Sequence, residues 1–197
     1  MLNSQNIDGV FVHPKTVIPI LIKPFEWEDW NAMWRLREYH LAEDGKIIDA
    51  LPDQPDLTIS YEDIDRSDLE VDFDRIDQAY LKGRGNFWIA WMDDQPVGHI
   101  GAQDKGDYIE LRRMYVRIEY RRRGIGVLLV QALIKHCLEN KAGIIELWTA
   151  EQGPGRFLYE KHGFHKVEIG GEEHDGTTDD NSQIRMRLVL KDLDTIC

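Results

Sequence analysis

Hydrophobic and polar positions alternate along the chain in patterns that predict both strands and helices. Two apolar runs, at residues 87–91 and 96–102, flank the polar triplet Asp93-Asp94-Gln95, which is typical of a β-hairpin. After Gly126, apolar residues recur at a helical spacing, at Leu128, Leu129, Ala132, Leu133 and Cys137. The centre of the chain therefore predicts a hairpin and, further on, a long amphipathic helix.

The same patterns predict the remaining elements. Further strands are expected at residues 17–22, 108–116, 144–148, 164–169 and 184–190. A helix is expected from Trp27 to Leu41, and a short one through Lys161 after a turn at Gly153-Pro154-Gly155. Residues 44–82 are polar and rich in aspartate. They predict a loop and then one or two helices, which either cap a site or form an ordinary surface pair.

Length and composition favour one soluble folded domain. The chain has 197 residues, 42% hydrophobic and 30% charged. We expect a loose leader at residues 1–16 and a single domain at residues 17–197. No apolar run is long enough to cross a membrane, and the start lacks the features of a secretory signal. The two cysteines, Cys137 and Cys197, have no metal or redox spacing, so a cytoplasmic location is expected.

The net charge bears on the class of partner. A formal charge of −12 and a pI near 5.0 argue against nucleic-acid binding, which requires the neutralisation of several phosphates. The same charge suits a cationic small molecule, although it could equally serve solubility alone.

Positive charge is concentrated at Arg121-Arg122-Arg123-Gly124-Ile125-Gly126, between a predicted strand and the long helix. Glycines at such a turn leave backbone amides accessible, and the helix dipole adds partial positive charge at the same point. Arginines beside such amides predict a site for a diphosphate. The alternative for the arginine run is a solvated surface patch.

These residues resemble the GNAT superfamily of acyl-CoA-dependent N-acyltransferases, whose cofactor motif reads Gln/Arg-x-x-Gly-x-Gly/Ala. Arg121, Gly124 and Gly126 match its fixed positions. Residues 111–116 resemble the family's fourth strand, and residues 157–164 resemble its closing helix-turn-strand element. The resemblance implies an α/β fold with a mixed, mostly antiparallel central sheet that is splayed at the cofactor cleft and flanked by helices.

The resemblance also implies acetyl-CoA as cosubstrate and assigns residues to it. Met114, Tyr115 and Val116 would offer backbone groups to the pantetheine arm, as a sheet edge does to an added strand. The amides of Arg123, Gly124, Ile125, Gly126 and Val127 would hold the diphosphate, with Arg121 and Arg122 or Arg123 on the phosphates. Many relatives carry an asparagine seven residues before the tyrosine, where this chain has Gln152. The longer amide keeps a contact to the pantetheine arm plausible.

Acetyl transfer requires a neutral amine. A lysine-like amine has a pKa near 10.4, so its deprotonation near pH 7 costs about 4 to 5 kcal/mol and requires a base. Glu110, eleven residues before Arg121, resembles the catalytic glutamate of the histone acetyltransferase branch. A surface ion pair at Glu110, with another acid acting through water, is the alternative. Tyr159 matches the family's tyrosine near the cofactor sulfur, where it would stabilise the leaving thiolate. Its alternative is a half-buried helix aromatic.

The sequence thus predicts direct acetyl transfer from acetyl-CoA to a primary amine of a small molecule, preferably a cationic one, or of a protein or peptide. No metal is expected, because His162 and His165 flank a turn and need not converge, and His99 and His136 fit packing roles. Two rival hypotheses remain: a non-catalytic acyl-CoA sensor or interaction module, and an oxidoreductase built on the Gly-x-Gly turn. The missing third glycine argues against the oxidoreductase. Oligomeric state is open, and a homodimer fits because family members often pair.

Overall fold

A computed structural model describes residues 6–7, 10–11, 19–43, 72–73, 75–167 and 183–190. Within these residues the strands are β1 (Asn6–Ile7), β2 (Val10–Phe11), β3 (Ile20–Pro24), β4 (Asn86–Met92), β5 (Gln95–Asp104), β6 (Ile109–Val116), β7 (Ile144–Ala150), β8 (His165–Lys166) and β9 (Gln183–Val189). The helices are α1 (Trp30–Glu43), α2 (Ile76–Ala79), α3 (Ile125–Glu139) and α4 (Pro154–Glu160).

The strands form one sheet in the order β1-β2-β3-β4-β5-β6-β7-β9-β8. Neighbours pair antiparallel except β6 and β7, which are parallel. The parallel pair follows from the connection, because a helix, α3, carries the chain from β6 over one face of the sheet to β7. The predicted mixed, mostly antiparallel sheet is confirmed.

The sheet opens at the β6–β7 junction. The two strands pair only at Ile109 with Ile145 and at Glu110 with Glu146. Residues 111–116 and 147–150 belong to these strands but have no register partner across the junction. β6 remains paired with β5, and β7 with β9, so the two halves of the sheet diverge from this point. The predicted splay near the centre of the sheet is confirmed.

Hydrophobic residues pack in two clusters on opposite faces. One joins α3 to the sheet and includes Leu129, Leu133, Ile109 and Leu147. The other joins α1 and α2 to the sheet and includes Trp30, Met33, Ile76, Tyr80 and Phe87. The burial of many large apolar side chains on both faces is the main source of the fold's stability, at roughly 25 cal/mol per Å² of apolar surface removed from water.

A β-bulge interrupts β6 beside the opening. His99 pairs with Tyr115 and Gly101 with Arg112, so Arg113 and Met114 both lie opposite the single residue between them on β5. Arg113 has a φ of 51°, the left-handed region that non-glycine residues seldom adopt. The extra residue reverses the alternation of side chains. Leu111 therefore faces α3, whereas Tyr115 packs in the cluster beneath α1.

Most of the predicted elements are found, with shifted ends. The helix predicted from Trp27 begins as a 3₁₀ turn at Trp27–Asp29 and continues as α1. The turn predicted at 153–155 is the start of α4, because Pro154 occupies the first helical position, where its missing N–H costs nothing. Gln95, expected in the hairpin turn, pairs with Met92, so the loop contains only Asp93 and Asp94, both at positive φ.

Other predictions fall partly outside the described residues. Of the helices expected in residues 44–82, the described residues contain only α2. The strand expected at 164–169 is described only as β8, because residues 168–169 lie outside the described part. The division into a leader and one domain remains a prediction, although β1 and β2 pair at the sheet edge. None of the described helices combines the length and the apolar character needed to span a membrane.

Candidate functional site

The N-terminus of α3 lies at the open end of the split sheet. Gly124 is its N-cap and has a φ of 90°, a conformation that glycine adopts without strain. The Leu128 N–H donates to the Gly124 carbonyl at 3.1 Å, which begins the helical ladder. The amides of Ile125, Gly126 and Val127 precede that ladder and have no acceptor within the helix. The helix dipole adds partial positive charge here, so the turn can bind an anion.

Gly126 lies where three elements meet. A Cβ atom at this position would lie 3.1 Å from Met114 Cε and 3.2 Å from Leu158 Cδ2. The glycine therefore lets the first turn of α3 approach both β6 and α4. The predicted diphosphate site is thus adjacent to the opening in the sheet.

The three arginines of the motif have different surroundings. Arg121 pairs with Glu43, and its Nε donates to the Val116 carbonyl at 2.8 Å. Arg122 is exposed and has a φ of 62°. Arg123 is also exposed, and its Nη2 donates to the Glu119 carbonyl at 3.1 Å. Arg122 and Arg123 are therefore directed to solvent near the turn, whereas Arg121 is engaged by the end of α1.

The β6 residues assigned to the pantetheine arm line the opening. Met114 lies in the bulge, and Tyr115 and Val116 pair with β5 but not with β7. The Tyr115 hydroxyl donates to Glu43 Oε1 at 2.6 Å, and its pKa is raised well above the usual value by burial and by this carboxylate. The Tyr115 side chain is thus structural, and its backbone carbonyl lies beside Gly98 of β5.

Tyr159, on α4, is only 6% exposed and packs edge-to-face on Phe164. Burial raises the pKa of its hydroxyl well above 10.0. Within the described residues this hydroxyl has no hydrogen-bond partner. Gly155 lies against the ring, since a Cβ there would be 3.4 Å from Tyr159 Cε2. A buried, protonated hydroxyl with no protein acceptor can donate to a ligand.

Glu110 lies on β6 at its last pairing position with β7, on the sheet face away from α3. Its Oε2 is 3.1 Å from Lys105 Nζ and 3.5 Å from Arg112 Nη1. The surface ion pair that the sequence left as an alternative is therefore present. Both cations contact Oε2 of the carboxylate. The ion pair therefore does not prevent Glu110 from accepting a proton on its other oxygen.

The remaining candidates have less specific surroundings. Gln152 is exposed in the turn between β7 and α4. His162 donates from Nδ1 to the Leu158 carbonyl at 2.8 Å, and His165 is exposed on β8. The described part of the chain contains no group of three potential metal ligands. His99 and His136 pack against Phe87 and Trp88, as the sequence predicted.

Two acidic residues of this region were not identified from the sequence. Asp72 accepts two hydrogen bonds from Arg113, at 2.6 and 2.8 Å, and one from the Tyr80 hydroxyl at 2.6 Å. These bonds hold the pKa of Asp72 below its usual value despite burial, which acts in the opposite direction. Glu43 binds Tyr115 and Arg121. The contacts of Asp72 with Arg113 and of Glu43 with Tyr115 and Arg121 span 41 or more positions of sequence, so no local pattern indicates them.

Comparison with known proteins agrees with this geometry. Residues 83–166 match the family model of the acetyltransferase (GNAT) domain. This segment runs from the approach to β4 through β8 and contains the split, the glycine turn and Tyr159. Residues 83–166 therefore form a GNAT acetyltransferase domain.

The chain is also similar to individual proteins over part of its length. It is 35% identical over 113 residues to the N-acetylaspartate synthetase of Danio rerio, a match that covers 55% of this chain and 39% of the relative. The chain thus spans about two fifths of that relative's length. A GNAT acetyltransferase from Staphylococcus aureus Mu50 shares the fold with a TM-score of 0.64 at 22% identity, covering 87% and 99% of the two chains.

A further solved structure contains a ligand. PaiA N-acetyltransferase from Thermoplasma acidophilum, in complex with coenzyme A, aligns with a TM-score of 0.57 at 18% identity, over 86% of this chain and 98% of that one. At this identity the likeness shows a common fold.

Proposed function

We propose that this GNAT protein transfers an acetyl group from acetyl-CoA to the amine of an acceptor, by direct attack within a ternary complex. The observation that carries the proposal is the opening of the sheet beyond Glu110 and Glu146, with the Gly124 turn at its mouth. The coenzyme A complex of PaiA and the name of the N-acetylaspartate synthetase support the donor and an amine acceptor, respectively.

The residues at the opening fit an acetyl-CoA molecule. The amides of Arg123 to Val127 would bind the diphosphate, with Arg122 and Arg123 near the phosphates. Arg121 would contribute through its hold on the Val116 carbonyl, and phosphate contact would require it to leave Glu43. The edge of β6 from Met114 to Val116, which does not pair with β7, would bind the amide-bearing arm as an added strand would. Gln152 lies near enough in sequence to the end of β7 to meet that arm from the other side.

The bulge supplies a donor for the reaction. Because Arg113 and Met114 share one partner residue on β5, the ladder is disrupted here, and one of their N–H groups would be left to face the opening. Such a group beside the opening would donate to the thioester oxygen as negative charge develops there. Asp72 and His99 hold the bulge through the side chain and carbonyl of Arg113. A rigid donor is more effective than one that must reorient during the reaction.

Bound acetyl-CoA supplies an electrophilic acyl carbon and a thiolate leaving group. Glu110 would accept the amine proton as the C–N bond forms and the C–S bond breaks. The Tyr159 hydroxyl would donate a hydrogen bond to the departing sulfur. Complete proton transfer would be uphill by roughly 2 kcal/mol at reference pKa values, and burial of Tyr159 increases that cost. Stabilisation by a hydrogen bond is therefore the role that the chemistry favours.

Direct attack is favoured over an acyl-enzyme. Cys137 is buried on α3, and burial raises the pKa of its thiol to about 12, so little thiolate exists near pH 7. Cys197 lies outside the described residues.

An acceptor panel assayed for thiol release tests the proposal. The purified chain should bind acetyl-CoA and release coenzyme A only when a suitable amine is present. Binding without release for every amine would favour the sensor alternative. Failure to bind acetyl-CoA, with no stabilisation against thermal unfolding, would contradict the proposal.

A further inference from the structure

The sheet face opposite α3 carries charged residues at alternate positions of β6, β7 and β9. Their neighbours Ile109, Leu111, Ile145 and Leu147 pack in the cluster beneath α3, so the intervening residues point to the other face. The charged residues at these positions are Glu110, Arg112, Glu146, Arg185 and Arg187. They border the opening on the side from which an acceptor would approach.

Most of these charges are paired with each other. Glu146, whose side chain is 3% exposed, accepts hydrogen bonds from Arg185 at 2.8 Å and Arg187 at 2.6 Å. Asp72 is bound by both ends of the Arg113 guanidinium. Lys105 binds Glu110. Each of these three carboxylates therefore already binds at least one cation of the sheet or its loops.

Among the described cations of this face, Arg112 has the longest contacts to a carboxylate. Its nearest charged partners are Glu110 at 3.5 Å and Asp72 at 3.6 Å, at or beyond the limit of a hydrogen bond. Its side chain is 29% exposed, and it lies two residues beyond the last β6–β7 pair. Its planar guanidinium is suited to bidentate binding of a carboxylate.

We propose that Arg112 binds the carboxylate of the acceptor and that the acceptor is an α-amino acid. This inference rests on the proposed acetyl transfer. The Glu110 carboxylate and the Arg112 guanidinium lie 3.5 Å apart. An α-amino acid carries a complementary ammonium and carboxylate on one carbon atom. Its amine would face Glu110, which would take the proton, while its carboxylate would face Arg112.

This assignment departs from the whole-chain charge, which favoured a cationic acceptor. The charge of −12 is summed over all 197 residues of the chain. Coulombic attraction at an acceptor site depends mainly on charges within about a Debye length, roughly 8 Å at physiological ionic strength. The residues beside Glu110 therefore weigh more than the total.

A matched panel of amines tests the carboxylate contact. With acetyl-CoA present, L-amino acids should release thiol, whereas their methyl esters and spermidine should react at least tenfold more slowly. Arg112→Gln should raise the KM for amino acids about 10- to 100-fold, the loss expected for one charge-assisted bond, with the Kd for acetyl-CoA unchanged. Arg112→Lys should recover part of this loss. Lys135→Gln, on the 62% exposed side chain of α3, is the control and should behave as wild type.

Binding measured without turnover separates the two proposals. Saturation-transfer NMR on the coenzyme A-loaded protein should detect an amino acid, and Arg112→Gln should abolish that signal. A signal of this kind without any thiol release would support the carboxylate site and contradict acetyl transfer. Release with spermidine or esters at rates equal to those with amino acids would support transfer and overturn the carboxylate site.

Discussion

The guanidinium of Arg121 forms an ion pair with the carboxylate of Glu43, the last residue of α1. The Tyr115 hydroxyl donates to the same carboxylate. The arginine of the cofactor motif is thereby tied to the helix on the acceptor side of the sheet. The ion pair gives Arg121 a structural role that its position in the motif alone does not indicate.

Arg121→Ala and Glu43→Gln should therefore have similar effects. Each should lower the free energy of unfolding by about 1 kcal/mol or less, because the pair is partly exposed and screened by solvent. The double variant should lose little more than either single variant, which denaturant unfolding can measure. We expect the Kd of Arg121→Ala for acetyl-CoA to rise less than tenfold. A hundredfold rise, with Glu43→Gln unaffected, would show instead that Arg121 binds phosphate directly.

Tyr159→Phe should lower kcat by about 10- to 100-fold, since it removes one preorganised hydrogen-bond donor, and should leave the Kd for acetyl-CoA nearly unchanged. The raised pKa keeps the hydroxyl protonated up to at least pH 10. Ionisation of Tyr159 should therefore not lower the wild-type rate between pH 7 and 10. The pH profiles of wild type and Tyr159→Phe should have the same shape over this range. Tyr39→Phe, on α1, is the control. Equal kcat values for Tyr159→Phe and wild type would remove Tyr159 from the reaction.

Glu110→Gln should reduce kcat/KM by about 100- to 10,000-fold at pH 7, the usual contribution of a general base. The deficit should shrink as the pH approaches the pKa of the acceptor amine, because less of the amine then requires deprotonation. A pH profile of kcat/KM for both proteins measures this convergence. Glu139→Gln, on the exposed end of α3, is the matched control. A constant ratio at every pH would assign proton removal to another group.

His99 should make the fold sensitive to acid. Its ring is fully buried, Nδ1 donates to the Arg113 carbonyl, and Nε2 has no partner among the described residues. Burial, with a smaller contribution from His40, lowers its pKa to about 3. The neutral form is therefore the folded form. Its stabilisation is complete above the unfolded-state pKa near 6.5 and is lost as the pH falls from there towards 3.

Unfolding measured between pH 7 and pH 4 tests this expectation. The wild-type free energy of unfolding should fall by up to about 1.4 kcal/mol per pH unit below pH 6 from this group, and His99→Gln should lack that component. His136→Gln, at a half-buried position, should retain it. Identical pH dependence in wild type and His99→Gln would mean that folding does not shift the pKa of His99.

Features encoded locally could be predicted from the sequence. The hairpin around Asp93 and Asp94 and the long helix after Gly124 follow from residue periodicity and from glycine's conformational freedom. The split near the centre of the sheet is expected only from the resemblance to the GNAT superfamily, whereas the parallel pairing beside it follows from the crossover helix. These features place the α3 N-terminus beside the end of β6, which is most of the proposed donor site.

Features that depend on distant partners could not be predicted. The left-handed conformation of Arg113 is stabilised by Asp72, 41 positions away, and the orientation of Arg121 depends on Glu43, 78 positions away. The sheet also gathers arginines from β6 and β9 onto one face, beside Glu110 and Glu146. Net charge carries no information about such local separation.

Calorimetric titration of acetyl-CoA into two glycine variants tests the diphosphate site most directly. Gly124 and Gly106 have nearly the same positive φ, 90° and 87°, and the added Cβ at Gly106 meets no atom within 4 Å. Gly124→Val and Gly106→Val should both lose a similar, modest stability from backbone strain, about 1 to 2 kcal/mol. Only Gly124→Val should lose acetyl-CoA binding, by 100-fold or more, because its amides no longer face the diphosphate. Wild-type affinity in folded Gly124→Val would contradict binding at the α3 N-terminus.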